Sequence, residues 1–243
     1  MHQLRRLYSA AILVGSGWFL VAHAANGGSG ASLVVAVVAG IMLCATPAWR
    51  MLRHACTFVH EMGHAVAAVG LGGRVQRITY KPDASGLATF SLPTSFGRVR
   101  SIIATGAGYA GPPIAGLVAV QAGAAQLGGV WLLTAAGASG LAFLLFVRNL
   151  WGGLYTVVLG AGMLALYFRL AWGLDEVAGV WAGVLLGGGV RGALIQCRTT
   201  EFSGSDAWAI GKLTFLPGRL VAWAQFGLAV GAVGVGLYLA ALG

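Results

Sequence analysis

FVHEMGHAVA, residues 58–67, places three proton-active side chains inside a run that is otherwise apolar. His60 and His64 are four residues apart, so on an α-helix both imidazoles lie on one face, about 6 Å from each other. Glu61 follows the first histidine and is turned by about 100° around the helix axis. Ionisable residues in a membrane-type segment cost about 2.5–3.5 kcal/mol each and usually mark function. Residues 54–70 are therefore predicted to form a helix that carries the functional side chains.

The composition is that of a polytopic membrane protein. Of the 243 residues, 58% are hydrophobic and 9% are charged, whereas soluble domains carry about 25% charged residues. The 40 glycines are spread among Ala, Val and Leu, as in membrane helices that pack through small residues. The basic residues behind the net charge of +9 stand singly or in pairs. This pattern is typical of loops that orient a membrane protein and does not indicate a nucleic-acid partner.

Apolar stretches of about the length of a membrane span recur along the chain. They cover residues 8–25, 31–48, 55–70, 101–124, 129–147, 150–170, 174–190 and 219–242. The first stretch fits a cleaved signal peptide or a retained helix, and we expect the retained helix because many spans follow it. The chain is thus predicted to be one integral-membrane domain over residues 1–243. Its fold class is a mainly α-helical transmembrane bundle, and we expect it in the cell membrane.

Residues 73–97 interrupt the apolar pattern. Ala88, Phe90 and Leu92 alternate with their neighbours along the chain, after a turn-like KPDASG at residues 81–86. Alternation with a period of two, next to Pro, Asp and Gly, predicts strands joined by a turn. The sequence therefore predicts a small membrane-associated β-hairpin, whose edges need protein or water cover at membrane depth.

The H-E-x-x-H spacing is the one that a zinc hydrolase needs. His60 and His64 supply two metal ligands, and Glu61 can reach a water bound to the metal, where it would act as general base. Two interpretations without hydrolysis stay open at this point: a hydrogen-bonded polar cluster between helices, and a proton relay without metal.

A zinc site also needs a third protein ligand and an open position for water. The remaining acidic residues are few: Asp83, Asp175, Glu176, Glu201 and Asp206. Asp206 begins an apolar helical segment at residues 204–223, where an aspartate or serine commonly serves as the helix N-cap. Spacing alone leaves Asp206 equally open as a metal ligand or as a cap.

These elements together resemble the site-2 proteases, which are intramembrane zinc metalloproteases. The matching parts are HEMGH (60–64) in an apolar helix, GLGGRVQRI (70–78) with the hairpin, and GYAGPPIAG (108–116) in the next span. A later aspartate completes the family's order of elements, and the resemblance covers most of residues 54–223. It implies one Zn²⁺ per chain.

The chain also departs from the common pattern of that family. Members generally present the third ligand in an Asp-Gly motif, and this chain has no Asp-Gly dipeptide. It resembles a short divergent branch with VRNLWGG and SDAWAIGKLTFLP, in which Asp206 is the counterpart of the third ligand. An asparagine that the family often carries near the substrate aligns with Ala115. Asn149 and the neighbouring Arg148 are therefore candidates for a substrate or oxyanion contact, although a polar pair at a helix end is the other interpretation.

The resulting hypothesis is an intramembrane zinc metalloprotease that cleaves a helix of another membrane protein in the lipid bilayer. Because a helix hides its carbonyl groups in i→i−4 hydrogen bonds, the substrate must unwind locally, and the hairpin edge could receive it by β-pairing. The main alternative is a non-catalytic, metal-binding membrane scaffold or regulator of the same fold. A small transporter ranks last, because the sequence shows no internal repeat. The sequence predicts neither the identity of the substrate nor the oligomeric state.

Overall fold

The structure is a computed structural model that describes residues 30–170, 173–199 and 203–243. The predicted helix at residues 8–25 and the candidate acid Glu201 lie outside these ranges. Within them, eight helices accompany one two-stranded antiparallel sheet. The predicted fold class, a mainly α-helical bundle with a small β-hairpin, is confirmed.

The elements follow one another in a simple order. They are α1 (Gly30–Leu43), α2 (Trp49–Gly70), β1 (Arg74–Tyr80), β2 (Gly86–Ser91), α3 (Gly97–Ala124), α4 (Gly128–Leu145), α5 (Leu150–Arg169), α6 (Leu174–Arg198), α7 (Asp206–Thr214) and α8 (Gly218–Leu242). In the described part of the chain, α3, α4, α5, α6 and α8 are long and apolar enough to cross a membrane. Each of them overlaps a stretch predicted as a span.

Helix α1 ends at Leu43, five residues before the end of the apolar stretch at residues 31–48, so the helix does not extend to the end of that stretch. The Thr46 hydroxyl donates to the Leu43 carbonyl at 2.8 Å and accepts the Ala48 N–H at 3.2 Å. The resulting turn contains Pro47, whose missing N–H cannot continue a helix.

Helix α2 begins at Trp49, five residues before the predicted start, and its 22 residues end at Gly70. Gly72 follows with φ +78°, a left-handed conformation that favours glycine. The Gly73 N–H donates to the Ala68 carbonyl at 2.8 Å and closes the helix end. This turn leads directly into β1, so the helix that carries the H-E-x-x-H residues and the hairpin are joined by a short connection.

The hairpin is shorter than predicted, because its strands end at Ser91 and residue 97 already belongs to α3. The Ala84 N–H donates to the Lys81 carbonyl at 3.0 Å across the turn. The Asp83 carboxylate accepts the Ser85 N–H at 2.9 Å and the Ser85 hydroxyl at 2.7 Å, and these bonds hold the pKa of Asp83 below its ordinary value. Asp83 is thus a turn residue, as the sequence suggested.

The second edge of β1 is covered by the connection between α4 and α5. The Ile78 N–H donates to the Phe146 carbonyl at 2.7 Å, and the Arg148 N–H donates to the Ile78 carbonyl at 3.1 Å. Strand β1 therefore lies between β2 and this connection. In the described part of the chain, the other edge of β2 pairs with no further strand, and its Ala88 N–H bonds to a side chain of α2.

Helix α6 holds the bundle together by close contact with its neighbours. A methyl group added at Gly183 would overlap the Val37 carbonyl oxygen of α1. One added at Gly116 of α3 would lie 2.8 Å from the Leu186 Cγ atom. Leu186 belongs to a fully buried cluster with Val37 and Val120. This packing fixes α3, which in turn presses against α2 and forms one wall of the site.

Candidate metal centre

The polar face of α2 is directed into the protein. Glu61 and His64 are buried, with exposed fractions of 5% and 6%, and His60 is half-buried. The two imidazole rings are nearly perpendicular, at 87°, with their centroids 4.8 Å apart. Their Nε2 atoms lie 3.2 Å from each other. The i, i+4 spacing thus brings both rings to one point, as the sequence predicted.

The orientation of His64 is set by α3 and by the hairpin. Its Nδ1 atom lies 2.9 Å from the Ala104 carbonyl oxygen, and a carbonyl only accepts hydrogen bonds, so Nδ1 carries the proton. In the neutral imidazole, Nε2 then has a free lone pair. Phe90 of β2 stacks on the ring at 6.2 Å between centroids and 27° between planes. A backbone carbonyl at the remote nitrogen is typical of a histidine that binds metal.

Asp206 is not the cap of α7, so that interpretation is wrong. Ser205 is the N-cap residue, and its hydroxyl accepts the Trp208 N–H at 3.2 Å. The Asp206 carboxylate is therefore free to point towards α2. Its Oδ2 atom lies 3.1 Å from the His60 Nε2 and 3.3 Å from the His64 Nε2.

His60, His64 and Asp206 form a triangle of ligand atoms with edges of 3.1, 3.2 and 3.3 Å. A tetrahedral zinc ion with bonds of about 2.0–2.1 Å separates its ligand atoms by about 3.3–3.4 Å. Among the residues that the structure describes, these three form the cluster of His, Cys, Asp or Glu side chains that could hold a metal ion. The Asp206 Oδ2 is buried and receives no well-formed hydrogen bond, so a cation at the centre would supply its missing partner. The three residues fit zinc in distance and in chemistry.

Glu61 lies beside this triangle and is tied to the hairpin. Its Oε2 atom accepts the Ala88 N–H of β2 at 2.7 Å. A methyl group added at Gly86 would lie 2.7 Å from the Glu61 Oε1, so a residue without a side chain is needed for β2 to cover the carboxylate. Ala88 satisfies one oxygen, and the other is available for a reacting group.

Two cavities meet at the triangle. The first, here called the hairpin cavity, has a volume of about 340 Å³, and its walls include the triangle, Phe90 and Thr105. The second, here called the Arg53 cavity, has a volume of about 270 Å³ and runs between α2 and α6. Four residues line both: His60, Glu61, Gly86 and Tyr109. The site can therefore be reached from two sides.

Arg148 and Asn149 line neither of these cavities. The Asn149 side chain accepts the Tyr80 N–H at 3.1 Å and donates to the Tyr80 carbonyl at 2.6 Å, which continues the hydrogen bonding of β1. The Arg148 guanidinium donates to carbonyls at the end of α4, including that of Leu145 at 2.6 Å. These contacts correspond to the helix-end interpretation and give no support to a substrate or oxyanion contact.

The remaining described acids lie elsewhere. Asp175 accepts the Gly128 N–H at 2.8 Å, and Glu176 accepts the Ser32 hydroxyl at 2.9 Å. Both belong to the first turn of α6. They bind neighbouring helices and do not reach the triangle.

Gly108 and Tyr109 also belong to the site, although the sequence did not predict them. The Tyr109 ring packs edge-on against the His60 ring, with centroids 4.8 Å apart and planes at 89°. A methyl group added at Gly108 would overlap the His64 ring and lie 2.8 Å from the His60 Cε1. A glycine inside a helix costs about 1 kcal/mol relative to alanine. A glycine kept at this cost indicates that another group, here the two imidazole rings, lies close to the helix backbone.

We expect Gly108→Ala to weaken zinc binding although residue 108 is not a ligand. The added methyl group must push both imidazoles out of the triangle, and disturbing the support of a ligand typically costs 10–100-fold in metal affinity. Gly137→Ala on α4 is the matched control, because a methyl group there meets nothing within 4 Å. Zinc competition with a fluorescent chelator measures both. Equal zinc affinity in the two variants would contradict this packing.

Comparison with known proteins supports the same chemistry. The family model described as Peptidase M50B-like matches residues 33–239. No curated protein and no solved structure matches the chain. Together with the five long apolar helices, the family match identifies an integral, multi-pass membrane protein. The chain belongs to the peptidase M50B-like family, which is the site-2 protease family.

Proposed function

We propose that this protein is an intramembrane zinc metalloprotease that hydrolyses peptide bonds in or near the bilayer. The observation that carries the proposal is the triangle of His60, His64 and Asp206, with all three edges between 3.1 and 3.3 Å. Glu61 lies next to the first ligand, and two cavities give access from either side. Two ligands, a nearby carboxylate and a third ligand from a distant element are the parts that zinc-dependent hydrolysis needs.

In this proposal His60, His64 and Asp206 hold one zinc ion per chain. The ion supplies a Lewis acid, which makes a water molecule at the site a nucleophile near neutral pH. Ala104 and Phe90 keep the His64 ring in place, and Ser205 frees the Asp206 carboxylate by capping α7. The protein thus fixes the ligands before substrate arrives, so little reorganisation is needed during the reaction.

Glu61 is the proposed general base. The Ala88 N–H holds Oε2, so Oε1 takes the proton of the attacking water. The same oxygen then delivers that proton to the nitrogen of the leaving amine, which completes hydrolysis of the peptide bond. Burial of Glu61 beneath β2 keeps the carboxylate in one orientation during both transfers.

The proposed substrate is an apolar helix of another membrane protein that unwinds locally before cleavage. The edge of β2 that does not pair with β1 supports this proposal, because it faces the H-E-x-x-H side of α2, where Glu61 accepts the Ala88 N–H. An extended segment that pairs with this edge would run past Glu61, and its backbone hydrogen bonds would replace those lost on unwinding. We further propose that the protein acts in the cell membrane.

The rival function is a metal-binding scaffold or regulator that shares the fold without cutting other proteins. It accounts for the triangle of ligands. It leaves unexplained why a buried carboxylate lies beside that triangle, with one oxygen directed away from its hydrogen bond. The transporter hypothesis gains no support, because the polar groups of the site converge on one point.

Metal removal tests the proposal. The purified protein, reconstituted in liposomes with apolar model peptides, should cleave at least one of them, and 1,10-phenanthroline should stop cleavage by withdrawing the zinc. One equivalent of zinc should restore the activity, whereas magnesium should not, because magnesium prefers oxygen ligands. Stoichiometric zinc without cleavage of any peptide would favour the scaffold.

A further inference from the structure

A cationic side chain closes the Arg53 cavity at the end remote from the metal centre. Along a single face of α2, at helical spacing, lie Arg53, Thr57, His60 and His64. Arg53 and Glu61 both line the cavity. The cavity therefore has a cationic guanidinium at one end and a carboxyl group at the other. The Cα atoms of Arg53 and His60 lie about 11 Å apart along the helix axis, because the two residues are seven positions apart.

The guanidinium of Arg53 is only partly used by the protein. Its Nη2 atom donates a hydrogen bond to the Asp83 carbonyl oxygen of the hairpin turn. The Nε atom is buried and has no hydrogen-bond partner. In the described ranges, the ion pairs within 4 Å are those between Asp206 and the two histidines. A buried donor on a charged group without an acceptor is costly, and the carboxylate of a bound ligand would supply that acceptor.

The other polar groups near Arg53 are already occupied. The Asp83 carboxylate bonds to Ser85, and the Thr57 hydroxyl donates to the Ala84 carbonyl at 2.8 Å. Glu61 is bound to Ala88 at the opposite end of the cavity. A bound carboxylate would therefore be repelled by Glu61 and attracted by Arg53, which places it at the Arg53 end.

The wall contributed by α6 suits an extended peptide. Gly188, Gly189 and Gly192 line it, and the first two pack against Cys56 and Pro113. A methyl group added at Gly192 meets nothing within 4 Å, so the helix surface there is open and a peptide backbone can approach it closely. The metal ligand His60 and the proposed base Glu61 line the same cavity as Arg53. A peptide in this cavity can thus contact Arg53 and His60 at the same time.

We infer that the Arg53 cavity is a substrate subsite that selects a peptide with a carboxylate about three residues from the scissile bond. An extended chain rises about 3.3 Å per residue, so about three residues match the 11 Å of helix between His60 and Arg53. The carboxylate is that of an Asp or Glu side chain, or of a free C-terminus, and it pairs with the Nε–H and one Nη–H of the guanidinium. This inference rests on the proposed function, since it concerns the substrate of the same site.

Peptide binding tests the inference without relying on cleavage. The zinc-loaded, full-length Glu61→Gln protein in phosphatidylcholine nanodiscs is titrated with fluorescein-labelled apolar peptides that carry one Glu, or one Gln, at successive positions. Paired peptides with a free or an amidated C-terminus separate the two sources of carboxylate. We expect one position at which Glu binds on the order of tenfold more tightly than Gln. Adding Arg53→Gln should bring that ratio to about one.

Filling the cavity gives a second readout. Gly192→Leu should weaken binding of all the peptides, because the new side chain occupies the open space. Gly234→Leu on α8, where an added methyl group also meets nothing within 4 Å, should not. The inference is overturned by a Glu-to-Gln ratio that Arg53→Gln leaves unchanged, by a ratio of one at every position, or by no peptide binding. It is also overturned if phosphatidylglycerol abolishes the ratio, since the guanidinium then binds lipid phosphate.

The same peptides separate this inference from the proposed function. Digestion by the zinc-loaded wild-type protein, read by mass spectrometry, should place the cut about three residues from the preferred Glu. If the Glu preference depends on Arg53 but no peptide is cleaved, the subsite stands and the proteolytic function is wrong. If peptides are cleaved with no dependence on Arg53, the function stands and the subsite is wrong.

Discussion

Replacing Glu61 by glutamine lowers the rate of peptide hydrolysis by about 10²–10⁴-fold and leaves zinc bound. This loss is the usual contribution of a general base. The amide oxygen of glutamine can still accept the Ala88 N–H that now bonds to Glu61, so the hairpin keeps its position. The amide cannot take a proton from water, and it is not a member of the ligand triangle. Cleavage rate and zinc content, measured on one reconstituted preparation, report the two effects separately.

Glu176→Gln is the matched control for this result. Glu176 is also a buried glutamate, with an exposed fraction of 7%, but it bonds to Ser32 in another part of the bundle. We expect this variant to cleave at the wild-type rate after correction for folded protein. If Glu61→Gln retained full activity on a peptide that the wild-type protein cleaves, the assignment of Glu61 as base would be wrong.

Replacing Asp206 by alanine should weaken zinc binding by more than about 100-fold. Loss of a residue that only supports a ligand already costs 10–100-fold, and Asp206 supplies one of the three ligand atoms itself. Its Oδ2 lies within 3.3 Å of both imidazole nitrogens. Because Ser205 is the cap of α7, the helix start should survive the substitution. Zinc affinity from chelator competition and helix content from circular dichroism distinguish metal loss from unfolding.

The control for Asp206 is Asp83→Ala. Asp83 lies in the exposed hairpin turn, and its carboxylate bonds only to Ser85 among its neighbours. This variant should keep wild-type zinc affinity. Retention of zinc by Asp206→Ala at wild-type affinity would show that the third ligand is another residue.

The local parts of the site could be predicted from sequence, because they depend on helical geometry. H-E-x-x-H places two imidazoles on one face, and the structure brings their Nε2 atoms within 3.2 Å. The hairpin could also be predicted, since alternation and a KPDASG turn are short-range signals. Its boundaries were predicted less accurately, because the end of a strand depends on which backbone groups form hydrogen bonds with a neighbouring segment.

The roles of site residues that are far apart in the sequence could be assigned only from the folded structure. Asp206 is 142 positions after His64, and spacing alone could not separate a ligand from a cap. The structure separates them because Ser205 makes the capping bond. The sequence likewise could not separate two roles for Asn149, a substrate contact and a polar residue at a helix end. Its role depends on the Tyr80 backbone, and the pairing of two segments so far apart in the chain cannot be read from either of them.

X-ray absorption at the zinc edge of the wild-type protein tests the central claim most directly. Three ligands from His60, His64 and Asp206 predict a first shell of nitrogen and oxygen atoms at about 2.0–2.2 Å, with the outer-shell scattering of two imidazoles and one zinc per chain. A shell that contains sulfur at about 2.3 Å, or one that lacks imidazole, would contradict the account.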